Sequence, residues 1–240
     1  SELKSHFVSN TSHEFRTPLS TILSSADLIE FYLQQGTIDR VPEHIRRIQT
    51  TAVSMTNLLN DILILEKAEV NKLPFTPAPI NLEEFCIELA EEMRLSDQNS
   101  HRLTLNIQHD SDPSCCREAM MDERLLRQIF SNLLANALKY SPANTTVQFS
   151  LVCRNNDAHF AVEDEGIGIP LEDQAHLFEP FYRAGNVGMI SGSGLGLAIV
   201  KRSVDIHGGS IIVETEAGHG TLVQVTLPLQ PVATAMEAEL

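Results

Sequence analysis

The chain has 240 residues, 42% of them apolar, with 32 acidic against 17 basic side chains and a net charge of -15. That content supports one large domain or two smaller ones with true cores and excludes wholesale disorder. The negative field excludes nucleic acid as a first partner, and no stretch reads as a membrane span or a signal peptide.

Residues 1–70 read as one helical domain. Leu3, Phe7, Phe15, Leu19, Ile22, Ala26 and Ile29 form one apolar stripe, and Ile45, Ile48, Ala52, Met55, Leu59 and Ile62 form another. Their alternating steps of three and four are heptad-like and predict two long helices joined by a turn at Gln35-Gly36-Thr37-Ile38-Asp39. The pattern opens without a cap, so the first helix is expected to continue upstream in the intact protein. Two helices cannot bury such a seam alone, and a symmetric dimer pairing two hairpins into a four-helix bundle is the economical solution. Pro18 removes one backbone bond inside the first helix and predicts a bend there.

Residues 71–80 contain Leu73-Pro74-Phe75-Thr76-Pro77-Ala78-Pro79 and read as a linker or edge strand. Residues 81–230 then predict an α+β sandwich, a mixed sheet with helices on one face. Helices are expected at about 82–95, 122–138 and 194–206, and strands near 102–108, 114–120, 145–153, 158–164, 210–215 and 221–228. Residues 231–240 are expected to fray. The four cysteines, Cys86, Cys115, Cys116 and Cys153, lack CxxC spacing and read as thiols in a reducing cytoplasm. Adjacent Cys115 and Cys116 suit a loop or strand edge better than an ordinary disulfide.

Chemistry concentrates in a few segments. In His13-Glu14-Phe15-Arg16-Thr17-Pro18-Leu19, His13 and Thr17 share a helix face with Glu14 adjacent. Such a histidine can move a proton, bind a metal or attack an electrophile. HExxH zinc binding fails because position 17 is Thr. Asn132 and Asn136, one helical turn apart, offer amide oxygens to a hard cation such as Mg²⁺, and Lys139 and Tyr140 lie at the edge of their face. Asp164-Glu165-Gly166-Ile167-Gly168 ends a strand with a carboxylate that can accept from an exocyclic amine, beside glycines that admit a flat base. Gly192-Ser193-Gly194-Leu195-Gly196 opens a helix whose free N–H groups suit phosphates, and the chain has neither the GxGxxG nor the P-loop spacing. Between them, Phe178-Glu179-Pro180-Phe181-Tyr182-Arg183 and the loose run after it read as a lid, with Arg183 placed to reach a terminal phosphate. The remaining histidines, His6, His44, His101, His109, His159, His176, His207 and His219, receive no role.

In this order, over nearly the whole chain, these segments resemble the H, N, first glycine, F and second glycine boxes of the two-component sensor histidine kinases. The resemblance implies a dimerisation and phosphoacceptor hairpin followed by an ATP-binding domain of the Bergerat type. It implies His13 as phosphoacceptor, Glu14 as its proton acceptor or orienter, and Thr17 as the residue that orients water for regulator dephosphorylation. Asp164 would hold the adenine amine beside Gly166 and Gly168, with Thr221 lining the pocket. Asn132 and Asn136 would serve Mg²⁺ and phosphates, Lys139 and Arg183 would contact phosphates, and Tyr140 the nucleoside. Gly192, Gly194, Leu195 and Gly196 would cradle the phosphate chain. The implied cofactors are ATP and Mg²⁺. The implied partners are a second copy of the chain and the receiver domain of a response regulator. A cytoplasmic location follows, with an intact protein that can be membrane-anchored through another part. Two rival functions stay open. One is an ATPase performing mechanical work, like the chaperone, gyrase and mismatch-repair relatives; the H-box hairpin opposes it. The other is a catalytically silent scaffold, opposed by the full set of nucleotide residues.

Overall fold

The computed structural model describes residues 2–69, 74–109, 116–154, 156–188, 190 and 192–231. The chain divides into two compact units, Ser1–Val70 and Asn71–Leu240.

The first unit is a helical hairpin of α1 (Glu2–Gln34) and α2 (Val41–Glu69), with a single 3-10 turn at Ile38–Arg40 between them. Gly36 ends α1 in the left-handed conformation, at φ +70°. Its N–H donates to the Leu33 carbonyl, and the next N–H, from Thr37, donates to the Tyr32 carbonyl. That pair of bonds is the Schellman stop, which only glycine adopts without a Cβ penalty. Pro18 sits inside α1, and the helix continues through it. Its missing N–H removes the bond that the Glu14 carbonyl would otherwise accept.

The apolar seam divides into two sets. Phe15, Ile22 and Ile29 on α1 and Ile48, Met55 and Ile62 on α2 are half-buried or buried, each set stepping by seven. Ile62 joins buried Leu58 and Leu65. The complementary set faces out: Leu19 is 50% exposed, Ile45 45% and Leu59 47%, with Ala26 and Ala52 exposed between them. Tyr32 stacks on buried His44 at 5.6 Å near the turn.

The second unit holds a five-stranded sheet in the order β2-β4-β5-β7-β6. The strands are β2 (Arg102–His109), β4 (Thr146–Arg154), β5 (Asp157–Asp164), β6 (Ser210–Glu216) and β7 (Gly220–Pro228). β2 pairs parallel with β4, and every other pairing is antiparallel. Period-two alternation sends Val147, Phe149, Leu151 and Cys153, then Ala158, Phe160 and Val162, to one buried face. That face meets α3 (Leu82–Ser96), α4 (Glu123–Tyr140) and α5 (Gly196–Ile206).

α4 is the central helix. Leu126, Ile129, Phe130, Leu133, Leu134 and Ala137 form its apolar stripe. Phe130 meets Phe160 at 4.2 Å and Phe149 at 5.6 Å, and Phe85 of α3 edge-on at 6.4 Å. Burying each ring is worth roughly 2–3 kcal/mol, which outweighs any one hydrogen bond in the unit.

The starts of α3 and α4 are capped by side chains. Asn81 accepts from the Glu83 and Glu84 amides, and Asp122 accepts from the Leu125 amide at 3.2 Å. The Asp122 carboxylate also receives the Thr76 amide and hydroxyl at 3.0 and 3.1 Å. Burial opposes its ionisation, but these bonds and the Arg124 charge outweigh it and hold the carboxyl below its ordinary range. His207 is buried against Phe75, donates from Nδ1 to the Ser203 carbonyl and accepts the Asp122 amide at Nε2. Burial pushes its pKa down, so it stays neutral.

Of the two readings of residues 71–80, linker or edge strand, Ala78–Ile80 takes the second: it is strand β1, paired antiparallel with β3 (Ala119–Met121). Two details depart from the sequence reading. β3 is shorter than the strand expected near 114–120, of which residues 114 and 115 lie outside the described residues. Cys116 and Cys153 are joined in a disulfide across 37 residues of sequence, with Cα atoms 5.8 Å apart, where free thiols were expected. The fold carries residue 116 to the end of β4, a proximity that no local spacing encodes. Cys86 is buried and reduced, and the expected tail at 232–240 lies outside the described residues.

One group in the hairpin opposes its own fold. Asp61 neighbours Ile62 on α2, and burial raises its pKa to about 6. A carboxyl raised in the folded state stabilises fully below the unfolded value near 3.9, and that contribution is lost as pH rises through about 6. Asp61→Asn is therefore expected to stabilise the hairpin at pH 7 by about 1 kcal/mol after discounting for its partial exposure, and to change little at pH 4. Thermal unfolding at both pH values measures this.

Candidate functional site

In the second unit, the polar edge of α4 meets two glycine segments. Gly196 is the first residue of α5, and a Cβ built on it would lie 2.8 Å from Asn132 Oδ1 and 3.8 Å from Asn136 Nδ2. Asn132 donates its amide N–H₂ to the Gln128 carbonyl at 2.8 Å, which turns Oδ1 toward the α5 start. Two asparagines one turn apart thus close on a helix N-terminus, where unpaired N–H groups and the positive end of the dipole favour anions. Leu195 precedes α5 and is fully buried. It anchors the turn at the α5 start from the core side.

Lys139 and Tyr140, at the end of α4, lie against the second glycine segment. A Cβ on Gly192 would meet Lys139 Nζ at 2.6 Å and Tyr140 Oη at 3.7 Å. Lys139 donates to the Tyr140 hydroxyl at 3.2 Å. One cation and two amides thereby line the glycine segment from Gly192 to the start of α5.

Asp164 ends β5 on the other side of α4. Its Oδ1 accepts the Gly166 amide at 2.8 Å, and the Tyr140 carbonyl accepts the Ile167 amide at 3.1 Å. Burial raises the Asp164 pKa, and the bonds from the Gly166 and Thr221 amides only partly offset it. Thr221 stands opposite Asp164 in the β5–β7 pairing, and its hydroxyl lies 3.0 Å from that of Thr215. Gly168, at φ +60°, passes so close to the Glu216 carbonyl that no Cβ fits.

The segment between the glycine runs is closed at its base. The Phe181 amide donates to the Gly194 carbonyl at 3.0 Å. Gly194, at φ +71°, packs onto the backbone of Phe181 and Tyr182. Arg183 is exposed and donates to the Ile190 carbonyl within the same loop. That bond keeps it within its own loop, with no contact shown to the other expected site residues. The sequence reading missed Thr215, which accepts the Ile169 amide at 3.0 Å and braces the turn after Asp164. It also missed Asp173 and Asn186; Asn186 donates to the Gly168 carbonyl at 2.9 Å. A threonine inside an ordinary strand and an aspartate in a 3-10 turn carried no local signal.

Among the described residues, no cluster of three or more His, Cys, Asp or Glu side chains could hold a metal. The amide oxygens of Asn132 and Asn136 suit a hard cation such as Mg²⁺ only with anionic oxygens supplied by a ligand, so donor chemistry and helix start fit a metal-bound polyphosphate. In the first unit, His13 and Thr17 are exposed on α1 and Glu14 is half-buried.

Residues 3–71 match the His Kinase A (phospho-acceptor) domain, and residues 121–231 match the histidine kinase-, DNA gyrase B- and HSP90-like ATPase. The chain belongs to the sensor histidine kinase family. It is 34% identical over 98% of its length to the circadian input-output histidine kinase CikA of Synechococcus elongatus, and 32% identical over 92% to the sensor histidine kinase WalK of Bacillus subtilis. It spans 31% and 36% of those relatives, about a third of their length. Full-length ShkA, solved in complex with AMPPNP, superposes with a TM-score of 0.67 at 26% identity, over 95% of this chain and 47% of that one. The Acinetobacter baumannii kinase AdeS shares the fold, with a TM-score of 0.71 at 20% identity over 90% of this chain and 98% of that one. The second unit is thus an ATPase-type nucleotide domain, and no helix among the described residues is long and apolar enough to cross a membrane.

The crossing of Gly194 over Phe181 yields a direct test. In Gly194→Ala the new Cβ would sit 2.7 Å from the Phe181 carbonyl carbon at a φ that disfavours side chains. Affinity for a fluorescent ATP analogue is expected to fall by roughly tenfold or more, from a strain of about 1–2 kcal/mol plus the clash. Gly218→Ala has similar φ but open space, and should leave nucleotide affinity nearly unchanged in the same titration.

Proposed function

We propose that the chain is the catalytic core of a histidine kinase: ATP phosphorylates His13, and the phosphoryl group then passes to an aspartate of a response regulator. The closing of Asn132 and Asn136 on Gly196, the first residue of α5, with Lys139 beside Gly192 just upstream, carries this reading, because it sets side-chain amides, a cation and a helix dipole along the path a triphosphate would take. Asp164 accepts the adenine amine, with Thr221 and the backbone at Gly166 and Gly168 lining the base. Gly192, Gly194, Leu195 and Gly196 hold the phosphate chain, Tyr140 meets the nucleoside, and Arg183 offsets charge on the terminal phosphate. Asn132 and Asn136 would hold Mg²⁺, which neutralises phosphate charge when bound.

An imidazole nitrogen of His13 forms a bond to the γ-phosphorus as the bond to the β-phosphate oxygen breaks and ADP leaves. Glu14 accepts the imidazole proton or fixes the tautomer that frees the attacking nitrogen. The protein contributes alignment and charge neutralisation rather than covalent chemistry. The phosphoramidate is the donor for the regulator aspartate. Thr17, one turn beyond His13 on the same face, orients water in the reverse, dephosphorylating reaction. The outward stripe at Leu19, Ala26, Ile45, Ala52 and Leu59 supports a homodimer, since paired hairpins would bury it as a four-helix bundle. The net charge of -15 keeps nucleic acid outside the set of partners, and a cytoplasmic site of action fits this chemistry. The phosphoacceptor hairpin disfavours a mechanical ATPase, and the assembled nucleotide site disfavours a silent scaffold.

Incubation with γ-labelled ATP and Mg²⁺ tests the assignment. Label is expected on the wild-type chain, acid-labile and base-stable, and absent from His13→Gln; an unlabelled wild type rejects the kinase reading. Thr17→Ala is expected to keep autophosphorylation and slow regulator dephosphorylation by roughly 100-fold, the scale of a lost water-orienting group.

A further inference from the structure

Asp173 lies in the 3-10 turn Leu171–His176 and is only 9% exposed. Both of its carboxylate oxygens engage one short stretch of chain. Oδ1 accepts the Tyr182 hydroxyl at 2.5 Å, and Oδ2 accepts the Gly185 amide at 2.8 Å. Tyr182 and Gly185 bracket Arg183. Just before them, the Phe181 amide is bound to the Gly194 carbonyl. The Tyr182 ring also packs on His176, 5.2 Å away, so the hydroxyl is presented by a ring with little freedom to swing.

We propose that Asp173 is a positioning residue for Arg183, holding the Tyr182 side chain before it and the Gly185 backbone after it so that the guanidinium is presented to the terminal phosphate of ATP. This inference rests on the reading of the site as an ATP site. An exposed arginine on an unrestrained loop would have to be ordered at each binding event, and a clamp on its flanking residues removes part of that cost beforehand. The clamp is ionic at working pH. The Tyr182 hydroxyl, then the Gly185 amide, hold the Asp173 carboxyl below its ordinary range, and the same bond to Asp173 raises the Tyr182 phenol. Neither partner changes charge near neutrality. Two other polar groups of the turn are engaged elsewhere: His176 pairs with Glu179 at 2.7 Å, and Gln174 donates to the Ile169 and Thr215 carbonyls. The role is specific to the γ-phosphate, since Asp164 and the α4 amides hold the rest of the nucleotide without it.

The test measures calorimetric affinities of the whole chain for ADP and for a β,γ-imido ATP analogue, both with Mg²⁺. Asp173→Asn cannot accept both hydrogen bonds, and Tyr182→Phe removes one of them with minimal change in shape. Each is expected to weaken analogue binding by about 5- to 10-fold, the scale of one hydrogen bond, and to leave ADP binding within about twofold. Adding Asp173→Asn to Arg183→Ala should then change analogue affinity little, because both act through the same contact. Equal losses for ADP and analogue, or a full additional loss in the Arg183→Ala background, would overturn the positioning role and leave the ATP reading standing. A wild-type chain that binds neither nucleotide would overturn both. If Asp173→Asn is poorly folded, Tyr182→Phe alone decides the matter through the same comparison.

Discussion

The seating of α4 on the five-stranded sheet is the constraint on which the second unit depends. Its apolar stripe, centred on Phe130 against Phe149 and Phe160, fixes the helix in rotation and depth. A helix so fixed has its other edge fixed as well. Asn132, Asn136, Lys139 and Tyr140 project from that edge onto the two glycine segments, and the close approaches at Gly166, Gly192 and Gly196 record how little tolerance remains. The core is therefore not separate from the site. It sets the coordinates of the site to within the length of a hydrogen bond, which is what electrostatic preorganisation requires.

The two units place their chemistry in opposite ways. On the hairpin, His13 and Thr17 stand exposed on a regular helix, where geometry comes from the helical repeat alone. In the nucleotide unit the site is closed by contacts between segments distant in sequence, α4 against both glycine segments. Asp164 works with Gly166 and Thr221, Ile167 ties the same turn to the end of α4, and Thr215 supports it from β6, beyond β7 in the sheet. A nucleophile that must be approached benefits from exposure, whereas a polyphosphate site benefits from groups that cannot relax away. The division of labour follows from those two requirements.

This contrast explains what could be read in advance. The hairpin, the order of helices and strands and the mixed sheet are local or periodic features, and the repeat of three and four at Ile45 through Ile62 announced both helix and seam. The same repeat hid which half of the seam is inward, because steps of seven look identical on either side until a second helix is present. The glycine segments and asparagines were legible from their chemistry and order. The Cys116–Cys153 disulfide, the pairing of Ala78–Ile80 with Ala119–Met121 and the Asp173 clamp were not. Each joins residues whose neighbours in sequence carry no matching signal, so only the closed fold brings them into view.

The bond between Phe181 and Gly194 has a consequence for how such proteins diversify. It makes the intervening residues a closed loop whose ends do not move when its contents change. For a closed loop, doubling the length costs only about 0.6 kcal/mol in chain entropy. Its length can thus change at small entropic cost outside Tyr182, Arg183, Gly185 and Gly192, whose contacts tie them to the rest of the unit. On the proposed reading of this segment as a lid, the rate of nucleotide exchange becomes separable from the stability of the unit.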